Sequence, residues 1–300
     1  MGKTTKIGMI GLDTSHVTCF AELLMNPNDE NHIAGCEVVA GWPGGSEDFP
    51  MSVSRVDGYT SKLKDHYKVS ILNTPEEVAE MCDVVFINAV DGRVHQELFK
   101  KIAHFKKPTF IDKPLACDVS EAEEIIATSK ANNVTLASCS SLRFVDEYQA
   151  ALKDDSQGRI ISIEAWGPLS FKTPIQGYYW YGIHAIDMIV AGMGAGCISA
   201  KATVGEQSEV VQYEWIDGRN AIYHGLKAGQ STFGAVIHRE QGKQMVDVSK
   251  AKRPFYACLL DELLKTLPFN KTPICEVEML ETIRLIELAN ASRELACKSI

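Results

Sequence analysis

The hydrophobic pattern of the first half of the chain alternates between short apolar runs and segments with helical spacing. The apolar runs predict strands at Lys6–Ile10, Glu37–Gly41, Asp83–Asn88, Thr109–Asp112 and Val134–Ser138. Helices are predicted at Ser15–Met25, from Thr74 onward, at Val94–Phe105 and from an N-cap at Asp118 or Ser120 to Asn132, with a Gly/Pro/Ser-rich loop over 41–52. The alternation predicts a doubly wound parallel sheet with helices on both faces, whose ligands bind beyond the carboxyl ends of the strands.

Strands dominate the second half. They are predicted at Arg159–Trp166, Ile198–Val204, Val210–Trp215, Ala221–His224, Ser231–His238 and Gln244–Ser249. Helices are predicted near Asp146–Leu152, Tyr181–Val190, Phe255–Thr266 and Val277–Cys297. We therefore predict an α+β domain with a large, open, mainly antiparallel sheet. The expected domains are 1–122 for dinucleotide binding, with its last strand and helix allowed to extend to about 145, and 123–300 for substrate binding and oligomerisation.

Composition narrows the function classes. The 300 residues carry a formal net charge of −9, which disfavours nucleic-acid binding because such proteins usually present a basic surface. Nine cysteines without a C-x-x-C pair predict reduced thiols in the cytoplasm and no metal site. No apolar run reaches the roughly 18 residues of a membrane helix, and no secretory signal is expected. The expected partner is therefore a small molecule.

The turn after the first strand, Gly11 to His16, keeps only part of a dinucleotide fingerprint. In G-x-G-x-x-G the glycines serve the tight turn, the approach of pyrophosphate and the packing of the helix. Here Asp13 and His16 occupy the second and third positions. The segment is either a plain strand–turn–helix with Asp13 or Ser15 as N-cap, or an anion site in which the Thr14 and Ser15 hydroxyls assist the helix N-terminus. In the second case the cofactor contacts five residues of the turn, Gly11, Asp13, Thr14, Ser15 and His16. The Asp13 carboxylate must then turn aside, or the phosphates must be displaced.

The second strand runs into Trp42 and Ser46 without the acid that often binds the ribose hydroxyls of NAD. The first acid after the strand is Glu47. This absence removes one objection to a 2′-phosphate, which Ser46 or Arg55 could contact, and slightly favours NADP. Trp42 and Ser46 are candidate cofactor residues, and the choice between NAD and NADP stays open.

The most specific segment is "FIDKPLA", which follows "DVVFINAVDGRVH" along the chain. Its Asp112-Lys113-Pro114 sequence, together with His95 after the preceding strand, resembles the Gfo/Idh/MocA family of oxidoreductases, in which the segment is usually Glu-Lys-Pro. The resemblance covers essentially the whole chain and implies a Rossmann domain, an antiparallel α+β domain and an NAD or NADP cofactor. It also implies that Lys113 reaches the substrate beside the nicotinamide and that Asn88, His95 and Asp112 lie on the cofactor side.

A lysine at this position suits hydride transfer. A hydride leaves a carbon that bears a hydroxyl only as the hydroxyl proton is removed. Lys113 can orient the oxygen, stabilise its developing negative charge, or relay the proton if burial lowers the lysine pKa. The alternative is a surface lysine before a proline turn.

A second cluster, "GYYWYGIHAIDMI", matches the family pattern Asp-x-Gly-x-His-x-x-Asp at Gly182, His184 and Asp187. On a helix, His184 and Asp187 can face the same side. The resemblance implies that His184 is the general acid/base and that Asp187 orients it or binds substrate; the alternative is a buried histidine with satisfied nitrogens. Trp180 replaces the first Asp of the pattern. Either the His–Lys pair suffices, or a nearby tyrosine such as Tyr181 helps, or redox activity is lost.

Three further residues complete the candidate site. Arg143 lies in "SSLRF", a part of the chain that borders the cofactor and substrate in the family. It could bind a carboxylate or phosphate bidentately, and an interdomain salt bridge is the alternative. Lys172 precedes the histidine cluster and is a substrate candidate. So is Tyr181, whose ring could stack on a sugar or nicotinamide, or belong to an aromatic core.

These expectations combine into an NAD(P)-dependent oxidoreductase that transfers hydride between nicotinamide and a hydroxyl-bearing carbon of a sugar, inositol or similar polyol. Lys113 polarises the oxygen and His184 moves the proton. A rival hypothesis is a redox-silent nucleotide- or sugar-binding sensor or partner protein of the same fold, which Asp13 and Trp180 would suit. A third is a lyase or hydrolase that uses bound nicotinamide catalytically. The open sheet predicts a homodimer or homotetramer.

Overall fold

The computed structural model describes residues 4–229 and 232–298, which divide into two compact units. The first unit comprises the residues up to Cys139 together with Tyr256–Glu276, and the second comprises Ser140–Phe255 and the chain from Val277 onward. The return of 256–276 to the first unit has no counterpart in the domain limits expected from the sequence. Local hydrophobic pattern carries no information on which sheet a late helix packs against.

The first unit contains a six-stranded sheet. Its strands are β1 (Thr5–Ile10), β2 (Cys36–Trp42), β3 (Ser70–Ile71), β4 (Val84–Ile87), β5 (Thr109–Ile111) and β6 (Leu136–Ala137). All neighbours pair in parallel, in the order β3-β2-β1-β4-β5-β6. The order reverses between β1 and β4, and ligands of doubly wound sheets bind beyond the carboxyl ends at such a reversal. The predicted Rossmann-type fold is confirmed.

The second unit contains another six-stranded sheet. Its strands are β7 (Ile160–Pro168), β8 (Cys197–Val204), β9 (Ser208–Trp215), β10 (Asn220–Leu226), β11 (Gly234–Arg239) and β12 (Gly242–Asp247). The order is β12-β11-β7-β10-β9-β8, with β7 and β10 parallel and the other neighbours antiparallel. The predicted open, mainly antiparallel sheet is confirmed. Ser231, where one strand was predicted to begin, lies outside the described residues.

The helices of both units follow the predicted order, with additions between β2 and β4. They are α1 (Ser15–Met25), α2 (Pro50–Val53), α3 (Val56–Asp65), α4 (Pro75–Met81), α5 (His95–Ile102), α6 (Val119–Asn132), α7 (Asp146–Lys153), α8 (Gly182–Met193), α9 (Phe255–Thr266) and α10 (Glu276–Lys298). Thr74 begins α4 with a capping box: its hydroxyl accepts the Glu77 N–H, and the Glu77 carboxylate accepts the Thr74 N–H. Over 4–229 and 232–298, no helix is long and apolar enough to cross a membrane.

The segment between β2 and α4 departs from the sequence-based expectation. The predicted loop over 41–52 runs into α2, and α3 and β3 were not predicted. Leu63 is the one buried residue of α3, and apart from Val56 and Tyr59 its other large side chains are polar. Because helix prediction from pattern depends on an apolar stripe, a helix with a single buried position gives almost no signal.

Aromatic packing supports the strand ends of the first unit. Phe20 of α1, Phe86 of β4 and Phe110 of β5 are fully buried. Their rings meet edge to face, with centroids 6.1 Å apart for Phe20–Phe86 and 5.4 Å for Phe86–Phe110. Such pairs stabilise by about 0.5–1.5 kcal/mol beyond the burial of their area. The residues that follow β4 and β5 therefore extend from a rigid core.

Candidate active site

The turn after β1 is held against the loop after β4. Gly11 has a φ of +84°, and a Cβ there would lie 2.5 Å from the backbone of Ala89. The Gly11 N–H donates to the Trp42 carbonyl at 2.9 Å. Thr14, and neither Asp13 nor Ser15 as predicted, is the N-cap of α1, because its hydroxyl accepts the His16 N–H. Only glycine fits at position 11 without moving the backbone.

Asp13 points into the first unit. Its side chain is fully buried, accepts the Ser52 hydroxyl at 2.6 Å on one oxygen, and accepts the Val90 N–H at 2.8 Å on the other. Burial raises the pKa of this carboxyl, while the two hydrogen bonds oppose the rise. Of the two arrangements considered for this acid, the structure therefore shows the one in which the carboxylate turns aside.

His16 reaches the segment after β5. Its Nδ1 contacts the Asp112 carboxylate, and its ring lies 4.8 Å from that of Tyr256. The other Asp112 oxygen accepts the Lys113 N–H at 2.8 Å. Burial alone would raise the pKa of Asp112, but the charges of His16 and Lys113 and these hydrogen bonds hold it below its usual value. His16 thus contacts the acid that precedes Lys113.

Lys113 is partly buried at the carboxyl end of β5. Desolvation lowers the pKa of its amine, and the negative charge of Asp112 opposes that shift. The Lys113–Pro114 peptide bond is cis. A lysine in this state loses its proton more readily than a surface lysine, as an acid/base group requires.

Asn88 and His95 flank the loop after β4 in different ways. The Asn88 side chain is fully buried, and within the described residues neither amide atom has a hydrogen-bond partner. The His95 ring is also fully buried, and its nitrogens lie 2.8 Å from the carbonyls of Pro114 and Ala89. His95 therefore joins the loop after β4 to the Asp-Lys-Pro segment. Asn88 instead offers a donor and an acceptor that a bound group could satisfy.

A cavity of about 210 Å³ lies beside these strand ends. Its lining includes the predicted cofactor residues Asp13, Trp42 and Ser46, and the full set is Asp13, Trp42, Gly44, Gly45, Ser46, Ala89, Val94, Glu97, Leu98 and Lys101. The Trp42 indole donates to the Asn73 carbonyl at 3.0 Å, and the Ser46 N–H donates to Ser52 Oγ at 2.8 Å. Ser52, which sequence reasoning missed, joins Asp13 to the loop after β2. These residues and the unsatisfied Asn88 offer polar groups that a bound cofactor could contact.

In the second unit, His184 of α8 lies in a cluster of polar and aromatic side chains. Its Nδ1 lies 2.7 Å from Ser140 Oγ. The rings of Phe233 and Tyr181 lie 5.3 Å and 6.1 Å from the imidazole. The histidine is half-buried, and Ser140 fixes the ring so that Nε2 is the nitrogen directed elsewhere. Ser140 and Phe233 were missed, although Ser140 stands in the "SSLRF" segment.

Asp187 holds the backbone around Ser140. Its fully buried carboxylate accepts the Ser140 N–H at 2.9 Å, the Thr282 hydroxyl at 3.0 Å and the Arg143 guanidinium at 3.0 and 3.2 Å. Arg143 also donates to Glu278 at 2.5 Å. The arginine expected to bind a cofactor or substrate anion thus forms ion pairs within the second unit. Asp187 acts on His184 through Ser140.

The remaining predicted residues of the second unit are placed differently. Lys172 is exposed on the loop before α8, in an isolated bridge with Ile175. Trp180, in place of the family's acid, is buried, with its ring 6.1 Å from that of Tyr181. The structure brings Tyr181 and His184 together, whereas Lys172 lies on a solvent-facing segment.

Comparison with known proteins identifies the first unit. Residues 6–139 match the Gfo/Idh/MocA family model, described as "Oxidoreductase family, NAD-binding Rossmann fold". No curated protein sequence matches the chain significantly. The matched residues run from β1 to the end of β6 and include every cofactor candidate of the first unit.

Solved structures extend the similarity to the fold of the whole chain. The UDP-N-acetylglucosamine 3-dehydrogenase of Acidithiobacillus ferrooxidans is 15% identical with a TM-score of 0.77, covering 97% of this chain and 98% of its own. The myo-inositol 2-dehydrogenase of Lactobacillus plantarum is 17% identical with a TM-score of 0.79, covering 99% and 98%. The myo-inositol dehydrogenase of Lactobacillus casei, in complex with NAD(H) and myo-inositol, is 14% identical with a TM-score of 0.76, covering 97% and 95%. The fold is thus similar to theirs, and residues 6–139 match the model of the Gfo/Idh/MocA oxidoreductase family, with its NAD-binding Rossmann fold.

Proposed function

We propose that this protein is an NAD(P)-dependent oxidoreductase that acts on a hydroxyl-bearing carbon of a sugar, an inositol or a similar polyol. The observation that carries the proposal is Lys113, a partly buried lysine whose pKa desolvation lowers, at the carboxyl end of β5 in an NAD-binding sheet. The names of structurally similar proteins, which are inositol and sugar dehydrogenases, support the substrate class.

The dinucleotide would supply the hydride donor or acceptor. Within the first unit, the cavity lined by Trp42 and Ser46 would hold this dinucleotide. The amide of Asn88 would add a hydrogen-bond donor and an acceptor. Gly11 keeps the turn after β1 close to Ala89, and a side chain at this position would collide with the Ala89 backbone. Asp13 does not obstruct an anion because its carboxylate accepts hydrogen bonds in the interior.

Lys113 acts on the substrate oxygen in this proposal. As a cation it orients the hydroxyl and stabilises the negative charge that develops as the proton leaves. As a neutral amine, which its lowered pKa makes more accessible, it accepts that proton. Asp112 and His16 set the charge beside it through the contacts described above.

His184 is the second proton-carrying group in this proposal. Ser140 holds Nδ1, so Nε2 is the nitrogen that would exchange a proton with substrate. Tyr181 borders the imidazole and would contact the substrate. Asp187 and Arg143 are positioning residues because their contacts lie within the network that fixes Ser140.

The test has two stages. Nicotinamide fluorescence is followed while NADH and NADPH are titrated separately into the full chain, and polyols are then screened for NAD(P)H formation. Lys113→Ala and His184→Ala should each lower kcat/KM by about a hundredfold or more, the range for loss of acid/base catalysis, with retained unfolding free energy. Lys64→Ala, an exposed lysine of α3, is the control. Binding of neither nucleotide would overturn the proposal.

A redox-silent binding protein of the same fold is the second candidate, and Trp180 favours it because tryptophan cannot replace a proton-carrying acid. Such a protein would bind nucleotide or sugar, and its binding would change little in Lys113→Ala. A lyase or hydrolase that uses the nicotinamide catalytically would instead retain the cofactor tightly and turn over polyol derivatives with no net change in NAD(P)H. These outcomes separate the three candidates.

We also propose self-association through the second sheet and a reducing, cytoplasmic location. Ile222, Glu164, Val236 and Met245 lie in one row across β10, β7, β11 and β12, and Met245 is 68% exposed. All nine cysteines are free thiols, which suits a reducing compartment. Light scattering should give a dimer or tetramer mass that Met245→Lys lowers. Met81→Lys, on an exposed residue of α4, should not lower it; a monomeric wild-type chain would overturn the proposed assembly.

A further inference from the structure

Arg93 joins the loop after β4 to the loop after β2. Its Nη1 and Nη2 donate to the two carboxylate oxygens of Asp48 at 2.9 and 2.8 Å. Its Nε and Nη2 donate to Asp91 at 2.9 and 2.7 Å. Two carboxylates therefore occupy both donor edges of the guanidinium, the arrangement in which arginine otherwise grips a phosphate.

The Ser46 hydroxyl is also hydrogen-bonded to a carboxylate, that of Asp91. Its hydrogen bond to Asp91 helps to hold the pKa of Asp91 below its usual range, against the effect of burial. The Ser46 N–H donates to Ser52 Oγ, and the Ser46 carbonyl accepts the Phe49 N–H at 3.0 Å. The loop after β2 is thus fixed, and its hydroxyl faces a carboxylate.

The end of β2 is the position at which Rossmann folds distinguish the ribose of NAD from the 2′-phosphate of NADP. A phosphate monoester carries roughly two negative charges near neutral pH. Here it would meet Asp48, which is 66% exposed, and an arginine already paired with two acids. The cavity beside this loop adds Glu97 and Lys101, whose charges oppose each other, and the hydrogen-bonded Asp13.

From this geometry we infer that the Asp48–Arg93–Asp91 cluster selects NAD(H) over NADP(H). The inference rests on the proposed function and names its cofactor. To bind a 2′-phosphate, Arg93 would have to leave Asp91, whose side chain has no exposed surface, and a buried carboxylate that loses its cation is strongly destabilised. A ribose hydroxyl can bind while Arg93 stays paired with Asp91, because the hydroxyl can donate to Asp48. This reverses the slight preference for NADP drawn from the missing acid after β2.

The experiment measures dissociation constants for NADH and NADPH by nicotinamide fluorescence at one ionic strength, in the full chain and two variants. Asp48→Asn removes one carboxylate from Arg93 without changing side-chain size, at an exposed position. Glu47→Gln is the matched control, since it removes the same charge from the neighbouring exposed residue, which is not a partner of Arg93 in the contacts above. The wild-type chain should bind NADH at least about tenfold more tightly than NADPH, and Asp48→Asn should reduce that ratio by about tenfold, the loss of one charged hydrogen-bond pair.

Each outcome decides the inference. Preference for NADH that Asp48→Asn reduces and Glu47→Gln leaves within about twofold supports it. Equal binding of the two nucleotides, or tighter binding of NADPH, overturns the inference and leaves the oxidoreductase proposal in place. An equal effect of both variants overturns the role of Arg93, because general surface charge then explains the ratio. Failure of both nucleotides to bind overturns the proposed function itself.

Discussion

Asp13 in the first unit and Asp187 in the second are both 1% exposed, but different donors satisfy their carboxylates. Asp13 accepts a hydroxyl from Ser52 and a main-chain N–H from Val90, both neutral. Asp187 accepts a main-chain N–H and a hydroxyl as well, and in addition the guanidinium of Arg143. One buried acid is therefore hydrogen-bonded without a directly bonded cation, and the other is half of a buried ion pair.

The two environments give the two acids different roles. A buried carboxylate without a cation keeps a cost of ionisation, and burial accordingly raises the pKa of Asp13. A buried ion pair couples two residues, because removal of either one leaves the other charge unpaired in a region of low dielectric. Asp13 therefore acts mainly by joining the turn after β1 to α2 and to the loop after β4, while Asp187 is required for the electrostatic balance of its own unit.

The largest expected effect follows from breaking the ion pair. Asp187→Ala should lower the free energy of unfolding by about 3–5 kcal/mol, since Arg143 would remain buried and charged. Urea unfolding followed by tryptophan fluorescence measures the change. Asp187→Asn, which keeps an acceptor for the Ser140 N–H, should lose less. A loss below about 1 kcal/mol in Asp187→Ala would mean that Glu278 or solvent satisfies the guanidinium without it.

Asp13→Ala should have a smaller effect on stability. It leaves the Ser52 hydroxyl and the Val90 N–H without their acceptor, but it leaves no buried charge unpaired because both donors are neutral. The expected loss is about 1–3 kcal/mol, the cost of unsatisfied buried donors. The same urea experiment measures it, with Ser52→Ala as the matched variant from the other side of the contact. A loss as large as that of Asp187→Ala would erase the contrast between the two acids.

The sequence predicts the position of motif residues in the fold better than it predicts the long-range contacts of their side chains. Short apolar strands, helix caps and the Asp-Lys-Pro segment place Lys113 correctly at the end of β5. Thr282 contacts Asp187 from 95 residues away, and Ser52 contacts Asp13 from 39 residues away. No local period or cap links such pairs, so only tertiary packing shows them.

The same limit explains the expectations that differ from the structure. By residue type alone, Arg143 fits an anion site or a salt bridge, and Asp187 fits a group that orients His184 or binds substrate; their pairing with each other is not visible in the sequence. Helix α3, with a single buried residue, gave only a weak apolar stripe. Helix α9, by contrast, was predicted at its observed bounds because apolar residues recur on one of its faces.

Ser140 allows the two roles of the Asp187 network to be separated. Ser140→Ala keeps the main-chain N–H that Asp187 accepts and removes the hydroxyl that holds His184. We expect kcat/KM for the polyol found in the screen to fall between about tenfold and a hundredfold through misorientation of the ring. The pH dependence of kcat/KM should shift as well, and Ser140→Thr, which retains a hydroxyl, should restore both. A purely structural role would change stability and leave the pH profile in place.

The smallest expected effect is the change with pH that Asp13, which has no directly bonded cation, produces in the free energy of unfolding. Because the folded-state pKa of Asp13 is raised above its ordinary value of 3.8, the folded chain binds this proton more tightly than the unfolded chain does. The free energy of unfolding should therefore decrease as the pH rises from 3.8 through the raised pKa, and level off above it. Asp13→Asn keeps an acceptor for Val90 and cannot ionise, so urea unfolding across this range should show a shallower slope than in wild type. If the slopes coincide, the carboxylate titrates alike in both states, and hydrogen bonds to neutral donors would then compensate its burial as fully as a cation does.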